Sequence, residues 1–188
     1  MSGVSDNTDY PQIIINSINA PFLIGNTDNK IKYYVQGLKL LDSLDPEFIV
    51  IVCNTAHAYY DMLQESIDTP ILNLIGIVKV YLQEKNIRKM MVLGTSTTVK
   101  AKIYEFDNIT TTYPPEEEQK TIDLTIEEYN TNKSSASKIL KIAEKYSNDV
   151  DCFVFGCTEV ALMMKDTGLN GINTMDLLVD ATIKKIKS

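Results

Sequence analysis

The chain has 188 residues, 44% of them hydrophobic, and a formal net charge of −7 at pH 7. This length allows one full domain with a substantial core, or two small ones. The acidic balance, with basic residues that form no stripe, argues against a nucleic-acid partner. The sequence also has no continuous apolar run of the ~18 residues that a membrane span requires.

Three cysteines and one histidine limit the chemistry further. The first 15 residues contain neither a basic start nor an apolar signal core, so we expect a cytoplasmic protein. An odd number of cysteines in such a chain argues against a disulfide framework. Because neither CxxC nor HxxxH spacing occurs, we expect no metal site.

Short apolar runs alternate with amphipathic stretches along the chain, which is typical of βα units around a parallel sheet. Strands are predicted at 11–17, 47–53, 70–75, the start of 88–106, 108–114, 151–157 and 171–175. Helices are predicted at 29–45, 55–66, 76–86, the end of 88–106, 114–130, 134–148 (capped by Ser134 or Ser135), 158–166 and 176–188. The run at 47–53 does not alternate, so we expect burial on both of its faces.

Two corners of this pattern carry a cysteine. The apolar run 48–52 leads into Cys53, and the run 152–156 leads into Cys157. A threonine and a predicted helix follow each cysteine, then a short strand and another helix. This internal repeat predicts two similar α/β lobes, each with one cysteine at the carboxyl end of a strand. Cys152 lies inside its strand and is predicted to be a core residue.

The position of these two cysteines suggests a role in chemistry. Ligands of open α/β sheets bind beyond the carboxyl ends of the strands, and a helix N-terminus lowers the pKa of a nearby thiol. Two facing thiols suit a two-base reaction, in which Cys53 and Cys157 remove and return a proton on opposite faces of one carbon. Burial as ordinary apolar residues is the alternative, and redox cycling is another, although redox pairs usually have CxxC spacing.

Three stretches resemble the signature motifs of the aspartate/glutamate racemase superfamily. They are CNTAH at Cys53–His57, GTSTTVKAKIY at Gly94–Tyr104 and GCTEV at Gly156–Val160. The CNTAH and GCTE forms are most similar to the aspartate racemase branch, because glutamate racemases usually have a histidine after the second Cys-Thr. The resemblance extends from about Tyr10 to the end of the chain.

The resemblance implies an α/β fold of two flavodoxin-like lobes with parallel sheets and a cleft between them. We expect the first lobe to comprise residues 1–84 and 175–188, and the second lobe residues 85–174. The implied activity is cofactor-independent racemisation of aspartate or a similar small acidic amino acid.

The resemblance also assigns roles by position. Cys53 and Cys157 become the two acid/base residues. The expected substrate-binding residues are Asn54, Thr55, Lys133 and Thr158. His57 and Glu159 would support the reacting groups from outside the substrate contacts, while Thr95 and Thr98 would form a structural turn.

Two departures from the family pattern affect these expectations. Family members usually begin with a strand and a glycine-rich turn that precede the run 11–17, so Gln12–Ile15 would form an unpaired apolar edge. Such edges recruit partners, and we therefore expect a homodimer.

The region that usually carries a carboxylate-binding arginine, residues 16–26, contains none. A hydantoin racemase-like isomerase, or an impaired paralogue that binds an amino acid or a protein partner, therefore stays open as an alternative.

Overall fold

The computed structural model describes residues 10–23, 29–131 and 136–187. Four parallel strands form a sheet in the order β2-β1-β3-β4. They are β1 (Lys89–Gly94), β2 (Thr110–Thr112), β3 (Cys152–Gly156) and β4 (Gly171–Asn173). Each had been predicted from the sequence, and the fold is the expected α/β class with a parallel sheet.

Eight α-helices and one 3-10 helix accompany this sheet in the described residues. The α-helices are α1 (Ile31–Asp42), α2 (Tyr60–Glu65), α3 (Leu74–Glu84), α4 (Ser96–Lys100), α5 (Glu116–Tyr129), α6 (Ser137–Tyr146), α7 (Thr158–Met164) and α8 (Thr174–Ile186). The 3-10 helix spans Thr55–Tyr59 and leads directly into α2. The helix predicted up to residue 106 ends earlier, at Lys100, and Lys102 there has a positive φ of 52°. The cap predicted for α6 lies outside the described residues.

Helices cover both faces of the sheet. Alternate residues of a strand point to opposite sides, so both faces carry apolar side chains that need to be covered. Met91 and Leu93 of β1 pack with residues of α5, α6 and α7 on one face. Met90 and Val92 pack with residues of α3 and α8 on the other face. Cys152 is 3% exposed and belongs to this second cluster, which confirms the prediction that it is a core residue.

The helices α3 and α8, which follow the short apolar segments of the internal repeat, begin with equivalent asparagine caps. Asn73 Oδ1 accepts a hydrogen bond from the Gly76 amide at the start of α3 (3.0 Å). Asn173 Oδ1 accepts one from the Met175 amide at the start of α8 (3.0 Å). The two helices pack together, and both lie on the four-stranded sheet. The division of the chain into lobes at residues 84 and 174 stays a prediction.

Three strands predicted in the first part of the chain do not form. The run 11–17 is not a strand, because no ladder partner lies beside it in the described residues, and Ile13 and Ile15 are 70% and 84% exposed. The runs 47–53 and 70–75 meet only at one parallel bridge between Ile49 and Ile71. Burial in the run 47–53 alternates, with Val52 68% exposed, so the predicted burial on both faces is also wrong.

Instead, this part of the chain forms a smaller cluster of its own. Leu38 of α1, Leu63 of α2 and Ile67 pack against the bridged pair Ile49 and Ile71. Ala56 of the first cysteine corner belongs to this cluster, and Cys53 packs against it. None of the helices in the described residues is both long and apolar enough to cross a membrane.

Candidate functional site

Each of the two predicted corners lies where an extended segment meets a helix. Cys53 follows the bridged segment around Ile49 and precedes the 3-10 helix. Cys157 follows β3 and is the N-cap residue of α7, with extended backbone angles (φ −155°, ψ 140°). Cys53 is half-buried and Cys157 is 5% exposed. Both thiols are free.

Hydrogen bonds join the residues beside Cys53 to the strand that ends at Cys157. Asn54 Oδ1 accepts from the Thr174 hydroxyl (2.9 Å), which also lies 3.0 Å from the Phe155 carbonyl oxygen. Thr55 Oγ1 lies 3.3 Å from Thr98 Oγ1, whose hydroxyl in turn lies 3.5 Å from the Gly156 carbonyl oxygen. Two independent paths therefore connect the first corner to the last residues of β3.

Close packing of the strands helps to bring these groups together. A Cβ atom on Gly94, the last residue of β1, would lie 2.7 Å from the Gly156 carbonyl oxygen. Since real Cβ atoms do not approach a backbone oxygen so closely, the two strand ends require glycine at this position. The turn that begins at Thr95 is thereby held beside the Cys157 corner.

Three buried threonine hydroxyls form the contact between the first corner and that turn. Thr55 Oγ1 lies 3.0 Å from Thr95 Oγ1 and 3.3 Å from Thr98 Oγ1. Thr95 and Thr98 are themselves 3.2 Å apart, and Thr95 Oγ1 also accepts the Thr98 amide, which caps α4. This threonine cluster is consistent with the expected structural role of Thr95 and Thr98, and it places Thr55 in the same network.

Cys157 is held in its thiol form. Its Sγ donates to Glu159 Oε2 at 2.9 Å, and the Thr158 hydroxyl donates to the same oxygen at 2.6 Å. Burial raises the pKa of Cys157 well above its ordinary value, and the charge and hydrogen bond of Glu159 raise it further. The amides of Glu159 and Val160 oppose this shift but do not reverse it.

Glu159 stays ionised beside this thiol. Burial raises the pKa of its carboxyl group, but hydrogen bonds from Cys157, Thr158 and Asn130 outweigh that effect, so the pKa is lowered overall. A carboxylate that accepts several hydrogen bonds has its charged form stabilised. Glu159 and Cys157 therefore form a hydrogen-bonded pair of a carboxylate and a thiol.

Cys53 has a different set of partners. Tyr34 of α1 directs its hydroxyl at Cys53 Sγ, with 3.9 Å between the oxygen and the sulfur. Burial raises the pKa of Cys53, while hydrogen bonds from the Ala56 amide, the Tyr34 hydroxyl and the Thr55 amide lower it and the Glu159 charge raises it. The net shift is upward.

The sequence predicts that helix N-termini lower the pKa of both thiols. This prediction is wrong, because the net shift of both pKa values is upward. The amides at each corner do lower the pKa values of Cys53 and Cys157, as expected. Burial is the larger effect at both sites, and it favours the neutral thiol.

Glu159 and Tyr104 each interact with groups at both corners. The charge of Glu159, which contacts Cys157, also raises the pKa of Cys53. Burial raises the pKa of Tyr104, and a hydrogen bond with Thr174 opposes this shift. The Tyr104 hydroxyl donates to Asn54, beside Cys53, and a Cβ atom on Gly156, beside Cys157, would lie 3.3 Å from the Tyr104 ring, so Tyr104 lies between the two corners.

Asn54 and His57 complete the first corner, and both are almost fully buried. Asn54 Oδ1 accepts from the hydroxyls of Tyr104 and Thr174, while its Nδ2 has no hydrogen-bond partner among the described residues. His57 Nδ1 lies 2.8 Å from the Cys53 carbonyl oxygen, so Nδ1 carries the hydrogen. Burial lowers the pKa of His57, which favours the neutral ring.

Sequence patterns missed three residues of this arrangement. Tyr34 lies only within the predicted helix 29–45, Tyr104 only at the end of a motif, and Thr174 only in a predicted short strand. A hydroxyl group among the apolar residues of that helix is the one available signal for Tyr34. Lys133, predicted to bind substrate, lies outside the described residues. Within the described ranges, no group of three or more His, Cys, Asp or Glu side chains is placed to hold a metal ion.

Comparison with known proteins agrees with these observations. The family model described as Asp/Glu/Hydantoin racemase matches residues 2–182. The broad specificity amino-acid racemase RacX of Bacillus subtilis (strain 168) is 33% identical over 108 residues, which cover 55% of this chain and 46% of RacX. This chain therefore matches about half the length of that relative.

Solved structures share the fold. The Picrophilus torridus aspartate racemase superposes with a TM-score of 0.81 at 22% identity, covering 100% of this chain and 84% of that one. An aspartate racemase homologue from Pyrococcus horikoshii OT3 gives a TM-score of 0.75 at 24% identity, covering 97% and 87% of the two chains.

Proposed function

The chain belongs to the Asp/Glu/hydantoin racemase family, and from this we propose that it is an amino-acid racemase that inverts the α-carbon of aspartate or a similar acidic amino acid. Cys53 and Cys157 act as the two bases. The observation that carries the proposal is the linkage of the two cysteine corners by hydrogen bonds, from Asn54 and Thr55 beside Cys53 to the last residues of β3 before Cys157.

The reaction consists of two proton transfers. One sulfur, as a thiolate, takes the α-proton, and the electron pair of the broken C–H bond stays on the α-carbon. The other sulfur, as a thiol, gives its proton to the opposite face, and its S–H electron pair stays on sulfur. The net result is an inverted α-carbon and an exchange of thiol and thiolate between the two cysteines. No electrons leave the substrate, so the reaction requires no oxidant.

The reaction needs one cysteine as a thiolate and the other as a thiol, and substrate binding is proposed to produce this combination. Burial favours neutral thiols at both corners, so one of them must lose a proton when the site is filled. The α-ammonium group of an amino acid brings a positive charge that favours a thiolate close to it. We propose that ionisation of one cysteine accompanies substrate binding.

Several polar groups are suited to holding the substrate. Asn54 Nδ2 is a buried donor without a partner among the described residues, and its side-chain oxygen is fixed by Tyr104 and Thr174, so Asn54 is the proposed donor to a substrate carboxylate. Thr55 and Thr158 have their hydroxyls engaged by protein groups and would exchange those partners on binding. Lys133 is proposed as the cation for a substrate carboxylate, as the family resemblance implies. His57 and Glu159 are proposed to support the first and second thiol respectively.

Solvent deuterium gives the direct test. Incubation of the protein in D₂O with L- or D-aspartate should place deuterium on the α-carbon of either enantiomer. Cys53→Ala should retain exchange with only one enantiomer, and Cys157→Ala with only the other, because each variant keeps one base. Cys152→Ala is the matched control, since this cysteine lies in the core, and it should exchange both enantiomers if it folds.

The outcome distinguishes the proposal from its alternatives. Exchange of a hydantoin but of no free amino acid would indicate the related isomerase instead. Absence of exchange from every substrate tested would indicate a binding protein. Racemisation at the wild-type rate by either the Cys53 or the Cys157 variant would show that the two-base assignment is wrong.

We also propose that the protein is a homodimer. The described N-terminal segment exposes apolar side chains, with Ile13 and Ile15 70% and 84% accessible. A second copy of the chain is the partner that would cover them.

A further inference from the structure

The two thiols differ in the hydrogen bonds that they make. Cys157 donates to a carboxylate, Glu159 Oε2, at 2.9 Å. Cys53 instead receives hydrogen bonds, from the Tyr34 hydroxyl and from the amides of Thr55 and Ala56. A donor directed at sulfur stabilises the thiolate, while an acceptor beside sulfur stabilises the thiol.

We propose that Tyr34 is a positioning residue for Cys53: its hydroxyl donates to Cys53 Sγ and makes Cys53 the sulfur that takes the first proton, while Cys157 gives one. The proposal rests on the proposed racemase function, which it deepens by assigning different starting roles to the two cysteines. In the forward step, the Cα–H proton moves to Cys53 Sγ and the Cys157 proton moves to the opposite face of the carbon. Exchange with water then restores the starting protonation state.

Tyr34 is suited to this role by its place in the fold. It lies on α1, outside both cysteine motifs, and α1 packs against the 3-10 helix that follows Cys53. Its side chain is partly buried, and its hydroxyl has the sulfur as a partner. Burial raises the pKa of Tyr34, and the charge of Cys53 raises it further, so the phenol keeps its proton and remains a donor.

Other titratable groups near Cys53 do not replace this donor. Glu159 of α7 acts on Cys53 through a negative charge that disfavours the thiolate. Tyr104, between α4 and β2, donates to Asn54 Oδ1. His57 of the 3-10 helix contacts the Cys53 carbonyl oxygen with Nδ1. Within the described part of the chain, Tyr34 is the side chain that donates a hydrogen bond to this sulfur.

The test compares Tyr34→Phe with Tyr33→Phe, which is the same change at the preceding position of the same helix. Iodoacetamide reacts with thiolates, so the pH dependence of alkylation at each cysteine, resolved by mass spectrometry, reports its ionisation. Loss of one hydrogen bond to sulfur should slow Cys53 alkylation at pH 8 about three- to tenfold and move its profile to higher pH. Cys157 alkylation in Tyr34→Phe, and both sites in Tyr33→Phe, should stay within about twofold of wild type.

Deuterium exchange provides the second reading. Tyr34→Phe should slow exchange chiefly for the enantiomer that the Cys157→Ala variant still exchanges, because that reaction uses Cys53 as base. An unchanged Cys53 profile in a folded Tyr34→Phe protein, or faster alkylation of Cys157 than of Cys53 in the wild type, would overturn the inference. Alkylation does not depend on catalytic turnover. A wild-type protein that exchanges no substrate would therefore refute the racemase function, while the alkylation profiles would still test the effect of Tyr34 on Cys53.

Discussion

At the scale of single residues, burial and local hydrogen bonds act against each other at both thiols. Helix amides lower the pKa values of Cys53 and Cys157, and burial raises them by more. The two corners then diverge because Glu159 accepts a hydrogen bond from one sulfur while Tyr34 donates to the other. One thiol therefore has its neutral form stabilised by a carboxylate, while the other receives a hydrogen bond at sulfur.

Substitution of Glu159 by glutamine should activate Cys157. The change removes a negative charge at 2.9 Å from the sulfur but preserves the size of the side chain. Since the carboxylate raises the pKa of Cys157, its loss should lower that pKa, so alkylation of Cys157 by iodoacetamide should extend to lower pH. The pKa should stay above its ordinary value, because burial is the largest cause of the shift and remains.

Alkylation of both cysteines at several pH values measures this effect. Cys53 should shift in the same direction but less, because Glu159 is only a minor contributor to its pKa. Glu127→Gln, on the exposed side of α5, is a suitable control and should leave both profiles unchanged. A shift of the Cys157 profile to higher pH would contradict the assignment of Glu159 as the carboxylate that holds this thiol.

The positions of the two cysteines could be predicted from sequence, but their pKa values could not. An apolar run followed by Cys, Thr and a helical pattern is a local signal, and it recurs at Cys53 and Cys157. Burial depends on which distant segments cover each corner. The partner of Cys53, Tyr34, lies 19 residues away on another helix, and no local pattern specifies that contact.

At the scale of elements, the threonine cluster joins the first cysteine corner to the turn after β1. Thr55 comes from the 3-10 helix, while Thr95 and Thr98 come from the N-terminus of α4. All three side chains are nearly inaccessible to solvent. Buried hydroxyls contribute to stability only while they remain paired, so the contact between these elements depends on every member of the cluster.

Thr98→Val should therefore destabilise the protein, whereas Thr97→Val should not. Removal of the Thr98 hydroxyl takes a partner from Thr55 and Thr95 and should lower the free energy of unfolding by about 1–3 kcal/mol. Thr97 is the preceding residue of the same helix, and its buried Oγ1 has no hydrogen-bond partner among the described residues. The same substitution there removes an unsatisfied group and should be neutral or slightly stabilising.

Thermal or urea unfolding of the two variants measures the difference. For a chain of this size, each kcal/mol corresponds to about 2–4 °C in Tm. Equal losses of stability in Thr97→Val and Thr98→Val would show that the hydroxyl network adds nothing beyond packing.

The strands show where sequence patterns succeed and fail. The apolar runs of β1 and β3 are covered by helices on both faces, so their composition alone predicts them. The run 11–17, with three isoleucines, is richer in β-branched residues than either of these strands. A strand, however, requires a neighbouring backbone to pair with, and that requirement cannot be read from the run itself.

At the scale of the whole molecule, apolar surface is unevenly distributed. The segment Ile13–Ile15 is exposed in the described structure, while the faces of the sheet are well covered. Exposed contiguous apolar residues commonly mark surfaces where proteins associate. The proposed homodimer would bury this segment between two copies of the chain.

Replacement of Ile13 and Ile15 together by asparagine should shift the protein from dimer to monomer. Each isoleucine buried at an interface contributes on the order of 1.5–3 kcal/mol, so the loss of two should weaken association by at least about a hundredfold. Sedimentation velocity over a range of protein concentrations measures the change. A Leu124→Asn, Val179→Asn variant is the control, because these side chains are 59% and 56% exposed on α5 and α8, and it should remain dimeric. A wild-type protein that sediments as a monomer at every concentration would refute the dimer, and equal dissociation of both variants would show that the interface does not centre on Ile13–Ile15.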